Sequence, residues 1–172
     1  MHLQTTRFGP IDVDVDELVT FEDGLPGFPD ERRMALIGAG ALPGATASEG
    51  HHTLFWLQDV DDPDLAFLTI VPWTVYPDYD IEVDADTFDG ADADDVSILT
   101  IVTVRREDGG VRLTSNLLAP IAIDVRRRVG HQLILNDPRW SITTPLVEAR
   151  PSAPGDVPPL VAGSTLDSPG EC

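Results

Sequence analysis

Hydrophobic and polar residues alternate along several short stretches of this chain, the pattern of β-strands with one face toward a core. Within residues 11–15, Ile and Val alternate with Asp, so the apolar side chains are predicted to face inward and the carboxylates to face water. Further strands, most of them short and rich in Val, Ile, Leu and Thr, are predicted at residues 18–21, 34–37, 54–58, 66–71, 81–83, 96–105, 111–114, 121–126 and 132–135.

The segments between these strands predict an all-β fold with mainly antiparallel pairing. Residues 106–110, Arg-Glu-Asp-Gly-Gly, lie between two predicted strands and carry the Asp-Gly and Gly-Gly dipeptides of tight hairpins. No helical pattern of about ten residues recurs between strands, which argues against a parallel α/β fold. Short helical turns are predicted at 30–33 and 85–88. About ten short strands predict a small β-barrel or a strongly bent sandwich, which periodicity does not separate.

Two turn-rich segments stand out from the strands. The first is Phe-Glu-Asp-Gly-Leu-Pro-Gly-Phe-Pro at 21–29, in which glycines permit positive φ and prolines fix φ, so a rigid loop is predicted to hold Leu25 and Phe28 in place. The second, residues 114–124, joins two predicted strands through Asn116 and Pro120. The first segment carries hardly any polar chemistry and predicts either a recognition surface or a buried corner.

Length and composition predict one domain. The chain has 172 residues, 42% of them hydrophobic, which is enough for one sizeable core and too few for two ordinary domains. We expect a single β domain over residues 1–150 and a disordered acidic tail, rich in Pro, Gly and Ser, over 151–172. Because no apolar run of about 18 residues and no basic-then-apolar N-terminus occurs, we expect no membrane span and a cytoplasmic location.

Charge separates the classes of partner that the chain can attract. Thirty acidic residues against 11 basic ones give a formal net charge of −19. A protein that neutralises phosphates needs a basic face, so direct binding to nucleic acid is not expected, whereas cationic proteins would be attracted. Solubility, or a proteome that favours Asp and Arg, explains the same charge, and the two explanations are compatible.

The chain shows no recognisable catalytic or cofactor motif. Its lone Cys172 forms no internal disulfide or cysteine metal cluster, and its four histidines have no His-Glu-x-x-His spacing. Ser115 lacks a Gly-x-Ser-x-Gly setting, and no phosphate loop or Gly-x-Gly-x-x-Gly fingerprint is present. Acidic runs at 59–64 and 84–95 offer oxygen ligands to calcium but at poor spacing, so solvated loops are favoured. We therefore expect neither an enzyme nor a cofactor.

A series of short motifs, in one order along residues 3–146, resembles the family of the flagellar assembly factor FliW. Its landmarks are Phe-Gly at 8–9, Gly-Leu-Pro-Gly-Phe at 24–28, Phe-Trp-Leu-Gln at 55–58, Asp-Pro-Asp-Leu-Ala-Phe at 62–67, Pro-Asp-Tyr at 77–79, Asn-Leu-Leu-Ala-Pro-Ile at 116–121 and Gln-Leu-Ile-Leu at 132–135. No single landmark is diagnostic, but their order is. Two features depart from the family pattern, namely a longer small-residue loop at 39–53 and Asp124, where such proteins often carry Asn.

The resemblance implies a cytoplasmic antiparallel β protein that binds newly made flagellin and the RNA-binding translational repressor CsrA. On this hypothesis flagellin would sequester the protein, release CsrA and repress further flagellin synthesis. An acidic protein would attract the basic CsrA over long range and then dock through apolar residues. The candidate partner-binding residues are Leu25, Phe28, Asp78, Tyr79, Asn116 and Pro120, because fixed aromatic side chains and rigid loops are common interface anchors.

Two other classes of function remain open from the sequence. A β-barrel that binds a small ligand would need an apolar cavity, and a hydrolase with an unrecognised acidic pair would need two carboxylates that converge in a pocket. A filled interior with an exposed apolar patch beside acidic residues would instead favour a protein that acts through interactions.

Overall fold

The computed structural model describes residues 1–30, 32–40, 53–88, 90–108 and 110–148. Its strands are β1 (His2–Thr5), β2 (Gly9–Asp12), β3 (Val19–Thr20), β4 (Arg33–Gly40), β5 (Leu54–Asp59), β6 (Ala66–Ile70), β7 (Val96–Glu107), β8 (Gly110–Ser115), β9 (Ile121–Asp124), β10 (Val129–Gln132) and β11 (Thr144–Glu148). Single turns of 3-10 helix lie at Val15–Glu17, Pro72–Thr74, Ala85–Phe88 and Ala93–Asp95.

Strand pairing closes the sheet into a barrel. The strands follow the order β7-β6-β5-β4-β3-β10-β9, and β9 pairs again with β7. This closure depends on the length of β7, whose 12 residues serve several partners. Its first residues pair with β9, its centre pairs with β6, and its second half forms a hairpin with β8 that extends to β11. The prediction of an all-β, mainly antiparallel fold is confirmed, and closure answers the question of barrel or sandwich.

The weakest seam of the barrel lies between β3 and β10. These strands form the one parallel pair among the described strands, and their ladder consists of Val129 opposite Thr20. The amide of Thr20 donates to the carbonyl of Arg128 at 2.8 Å. Arg128 has φ of 57°, the left-handed turn that directs the chain into β10. β1 and β2 form a separate hairpin.

Alternation along the strands divides apolar side chains between the barrel interior and its outer faces. The interior cluster contains Phe21, Met34, Leu57 and Ile121, each with an exposed fraction of 0%. Their neighbours in sequence face outward into satellite clusters. Ala35 of β4, for example, packs with Leu3 and Leu18, below the β1–β2 hairpin. The period-two pattern therefore predicts the buried side of strands such as β1 and β2, whereas β9 is buried at all four positions, and Val15, predicted to face inward, lies exposed in a 3-10 turn.

Several sequence predictions differ from the structure. Residues 81–83 and 30–33 form neither the expected strand nor the expected helical turn among the described residues, and β1 and β11 were not predicted. The expected strand at 132–135 lies earlier, as β10, in which Gly130 packs so closely on Phe21 that a Cβ would lie 2.5 Å from the ring. The 85–88 turn and the β7–β8 hairpin are confirmed.

Some predictions fall outside the described residues. They concern the tail at 151–172, most of the loop at 39–53 and Gly109 of the hairpin turn. Among the residues that are described, no helix is long and apolar enough to span a membrane.

Candidate functional site

The Gly-Leu-Pro-Gly-Phe segment folds into a tight turn with its ends bonded to each other. The amide of Leu25 donates to the carbonyl of Phe28 at 3.0 Å, and the reverse bond is 2.7 Å. Pro26 at the first corner and Gly27 at the second, with φ of 90°, are the residues that a type II turn requires. The expected rigid loop is therefore present, held by its own backbone.

Inward and outward contacts anchor this turn to the barrel. Leu25 is only 2% exposed and belongs to the interior cluster, so its side chain supports the loop from below. Phe28 is half-buried, and its ring meets the ring of Phe67 edge to face at 5.1 Å between centroids. Of the two apolar residues predicted to be presented by this loop, Phe28 is the accessible one.

The Asn116–Pro120 segment forms a second rigid corner. The backbone N–H of Asn116 donates to the carbonyl of Ile101 at 2.9 Å, and the side-chain oxygen of Asn116 accepts from the backbone N–H of Ala119 at 3.0 Å. Pro120 is buried, and its carbonyl accepts from Leu133 at 2.8 Å. Asn116 thus acts on the backbone of its own loop, and it retains one partly exposed side.

The two corners meet at one end of the barrel and line a shallow groove of about 250 Å³, here called the loop groove. Ile134, at its margin, is 77% exposed, the most exposed of the large apolar side chains among the described residues. Gln132 braces the groove because its side-chain amide donates to the carbonyl of Ala119 at 2.9 Å. The lining is mostly apolar and consists of Leu25, Pro26, Phe28, Phe67, Ile101, Asn116, Ala119, Gln132 and Ile134.

Tyr79 and Asp78 lie on the other side of the second corner. Tyr79 is 6% exposed, its hydroxyl donates to the carbonyl of Leu117 at 2.9 Å, and its ring packs on Trp140 at 4.8 Å. Burial raises the pKa of Tyr79 well above its usual range. Asp78 is exposed in the loop before it. The six candidate residues therefore do not form one surface, since Tyr79 supports the Leu117 side while Phe28 and Asn116 share the loop groove.

The acidic segment at 59–64 is organised by its own backbone. Asp59 is 1% exposed, and one of its carboxylate oxygens accepts the amides of Asp61 and Asp62 at 2.7 and 2.6 Å. The side-chain amide of Gln58 donates to three carbonyls of the same hairpin, including Leu65 at 2.9 Å. No group of three His, Cys, Asp or Glu side chains in the described part of the chain is arranged to hold a metal ion.

Histidine side chains in the described ranges make ordinary surface or packing contacts. His2 lies 3.0 Å from a carboxylate oxygen of Asp12, and the His131 ring packs edge to face on Phe88 at 5.2 Å. His51 and His52 lie outside the described residues.

Asp124 fills the position where the resemblance predicts Asn. It is 1% exposed, and one carboxylate oxygen accepts the amides of Arg126 and Arg127 at 2.9 Å each. Its second oxygen lies 3.4 Å from the guanidinium of Arg127. An Asn side-chain oxygen can accept the same two amides, whereas the ion pair is specific to Asp.

Gln132 and Ile134 are two of the six residues of the loop groove that were not among the candidate partner-binding residues. Gln132 and Ile134 fell in a predicted strand, where alternation would have buried one side of the segment, but β10 ends at Gln132 and leaves Ile134 in an exposed loop. The available signal was Asn136-Asp137-Pro138, a turn-forming run directly after the apolar residues.

Comparison with known proteins links this geometry to one family. Residues 2–146 match the family described as FliW protein. The flagellar assembly factor FliW of Caldanaerobacter subterraneus subsp. tengcongensis is 33% identical over 149 residues, covering 86% of this chain and 94% of the relative. That of Geobacillus sp. is 34% identical over 143 residues, covering 81% and 91%. A crystal structure of the flagellar assembly factor FliW superposes with a TM-score of 0.70 at 29% identity, covering 87% of this chain and 99% of that one.

Proposed function

This chain belongs to the FliW family, and from that premise we propose that it binds flagellin and antagonises the translational repressor CsrA by protein–protein contact. Flagellin and CsrA would compete for the protein, so that free flagellin releases CsrA and lowers further flagellin synthesis. The protein would meet CsrA in the cytoplasm, and would meet flagellin there before flagellin is exported. The role requires no catalysis and no cofactor.

The observation that carries the proposal is the loop groove. Rigid corners from distant parts of the chain converge there and present Phe28 and Ile134 around an apolar depression. Interfaces favour such preformed apolar centres with polar margins. Asp23 lies in an adjoining depression of about 430 Å³ that shares Leu25, Pro26 and Gln132 with the loop groove. Acidic and apolar surface are therefore adjacent.

The filled interior supports an interaction protein over a barrel that binds a small ligand. Phe21, Met34, Leu57 and Ile121 are fully buried and pack together across the barrel. Small-ligand sites of barrels occupy the space that these side chains fill.

Isothermal titration calorimetry with purified flagellin tests both the function and the place of binding. Ile134→Asp puts a charge at the margin of the loop groove and should weaken flagellin binding at least about tenfold, which is about 1.4 kcal/mol. Ile142→Asp is the matched control, since Ile142 is 59% exposed and does not line the groove.

The outcomes separate two errors. If the parent protein does not bind flagellin, the proposed function is wrong. If the parent binds but Ile134→Asp and Ile142→Asp have the same affinity, the function stands and the loop groove is the wrong surface. Thermal melts confirm that both variants fold, which surface positions permit.

A further inference from the structure

β4 is much longer than the strand that pairs with its outer edge. β4 has 8 residues and β3 has 2, and the ladder between them covers Arg33 and Met34 of β4. Before β3 the chain turns away as the 3-10 turn Val15–Glu17. Beyond Met34, β4 is therefore paired with β5 on one side only.

The alternating direction of the backbone hydrogen bonds shows which N–H and C=O groups of β4 are unpaired. The carbonyl of Arg32 accepts the amide of Phe21 on the β3 side at 2.7 Å, while the carbonyl of Arg33 accepts the amide of Val60 on the β5 side at 3.0 Å. The backbone N–H and C=O groups of successive residues in a strand point to opposite edges of that strand. Leu36 and Gly38, like Arg32, therefore direct their backbone N–H and C=O groups toward the open edge. No described backbone group pairs with them there.

The open edge borders a groove of about 510 Å³ between residues 11–14 and 35–38, here called the edge groove. Its apolar lining includes Ile11, Val13 and Ile37, which pack against one buried cluster. The register of β4 with β5 shifts at a β-bulge between Gly38 and Gly40, so the regular part of the open edge is one short segment.

Carboxylates surround the edge groove. Asp12 and Glu17 are strongly exposed, with side-chain exposures of 88% and 71%, and Asp14 lies exposed between them. Arg128 is the cation that lines the groove, and it lies 3.9 Å from Glu17, so carboxylates outnumber guanidinium groups. With a net charge of −19, a second copy of this chain would be repelled, whereas a basic segment would be attracted.

We propose that the edge groove binds an extended, basic polypeptide segment of a partner protein, which adds to β4 as a new strand. Backbone bonds to Leu36 and Gly38 would supply affinity independent of sequence. The apolar lining would accept alternate side chains and the acidic margin would select Lys and Arg. An unprotected edge of this kind is otherwise a liability that proteins cover. Arg128 precedes β10 and Gln132 ends it, so this surface and the loop groove lie at opposite ends of that strand.

The first test uses a fluorescently labelled peptide of alternating valine and lysine, measured by fluorescence anisotropy against the full chain. Binding is expected for this peptide. The same peptide with methylated backbone nitrogens keeps its side chains and charge but cannot donate to a strand edge, so it should bind at least about tenfold more weakly. Equal binding of the two peptides would show a merely electrostatic attraction and would overturn strand addition.

Hydrogen exchange followed by NMR locates the contact. The amides of Leu36 and Gly38 should exchange at least about tenfold more slowly with the peptide bound. Binding without protection of these amides overturns the edge assignment. Protection of the same amides in the free protein, together with a dimer in sedimentation velocity, would assign the edge to a second copy and also overturn the proposal.

Charge reversal tests the acidic margin with a matched control. Asp12→Lys with Glu17→Lys changes the margin, and Asp94→Lys with Asp108→Lys makes the same net change at exposed positions outside the groove. The first pair of substitutions should weaken binding of the valine–lysine peptide at least about tenfold more than the control pair does. Equal losses would reduce the selectivity to net charge and overturn the role of the margin. Neither pair of substitutions lies in the loop groove, so flagellin binding at that groove tests the proposed function separately from this proposal.

Discussion

At the scale of single residues, two glycines of the Gly-Leu-Pro-Gly-Phe loop show two separate reasons why a position requires glycine. Gly24 and Gly27 both have positive φ, at 68° and 90°. They differ in their surroundings, because a Cβ at Gly27 would meet nothing within 4 Å, while one at Gly24 would lie 2.7 Å from the Cα of Pro29. The pair therefore separates backbone strain from steric conflict within one loop.

Alanine substitutions should reflect this difference. Gly27→Ala should lower the free energy of unfolding by about 1–2 kcal/mol through strain alone. Gly24→Ala adds a clash with backbone that cannot move aside, and should cost about 2–5 kcal/mol. Urea unfolding of both variants measures the difference, and equal losses would contradict the close approach at Gly24.

Asn116 tests whether the second corner is built by its side chain. Asn116→Ala removes the acceptor for the Ala119 amide and should lower the free energy of unfolding by about 1–3 kcal/mol. Asn116→Asp keeps an acceptor oxygen, so its free energy of unfolding should fall by less than that of Asn116→Ala. If Asn116→Ala unfolds at the same urea concentration as the parent and yet loses flagellin binding, Asn116 belongs to the interface and not to the scaffold.

At the scale of elements, the barrel is unevenly tied. β5 is paired along its length on both sides, with β4 and β6, whereas β3 joins β10 by one residue pair. Local opening occurs first where few bonds and contacts must break. The seam between β3 and β10 is thus the expected point of opening.

Native-state hydrogen exchange measures this directly. The amide of Thr20, which donates across the seam to Arg128, should exchange at least about tenfold faster than the amide of Leu57 in the middle of β5. Similar protection of Thr20 and Leu57 would mean that the barrel opens as one unit. Exchange at several denaturant concentrations separates local from global opening.

β11 is attached to the rest of the barrel partly through Tyr76. The hydroxyl of Tyr76 donates to the carbonyl of Pro145 at 2.9 Å, and burial raises the pKa of this tyrosine from 10.0 to about 12. The folded protein therefore holds a proton that the unfolded chain loses near pH 10. Stability from this group is complete below about pH 10 and is lost as pH rises through about 12.

Urea unfolding at neutral pH and at about pH 11 checks this sign. Tyr76→Phe should be less stable than the parent at neutral pH, because the bond to Pro145 is lost. It should also lose less stability on the way to alkaline pH, because one group with a raised pKa is gone. A steeper alkaline loss in Tyr76→Phe than in the parent would contradict the assignment.

At the scale of the whole molecule, the arginines leave a large excess of carboxylates without a basic partner. Most described arginines already lie beside a carboxylate, so the excess acid acts on the surroundings. These arginine–carboxylate pairs are Arg33–Asp61, Arg112–Glu107, Arg126–Asp95, Arg127–Asp124, Arg128–Glu17 and Arg139–Asp137. In the last pair, the hydrogen bond from Arg139 holds the pKa of Asp137 below its usual range.

Association with CsrA should therefore depend on salt through its on-rate. The on-rate should fall steeply as ionic strength rises, because charges are screened beyond a Debye length of about 8 Å at physiological salt, while the off-rate changes much less. Surface plasmon resonance across a salt series measures both rates. A salt-independent on-rate would mean that the net charge serves solubility alone.

The candidate site was partly predictable. Phe28 and Asn116 were expected at a partner-binding surface, and the structure brings them into the same groove. Leu25 also lines this groove but is only 2% exposed, and Tyr79, which is 6% exposed, lies outside it. Burial of an apolar residue in a loop depends on what the rest of the chain places above it, and local pattern does not contain that information.

Residue order alone determined the features that depend on near neighbours. Alternation specified the buried side of strands such as β1 and β2, Asp-Gly specified the β7–β8 hairpin, and Pro26-Gly27 specified the turn between Leu25 and Phe28. Each follows from steric limits on a few consecutive dihedral angles and from the period of side chains along a strand.

Tertiary structure decided the features that join distant residues. It set the sharing of β7 among β6, β8 and β9, the single-pair seam at β10, the meeting of the two corners and the open edge of β4. These outcomes depend on relative strand lengths and on closure of the ring, since an edge is open or paired according to where another strand ends. The free energy of such pairing is a property of the assembled barrel, because ordering each distant segment is repaid only when its partner is already in place.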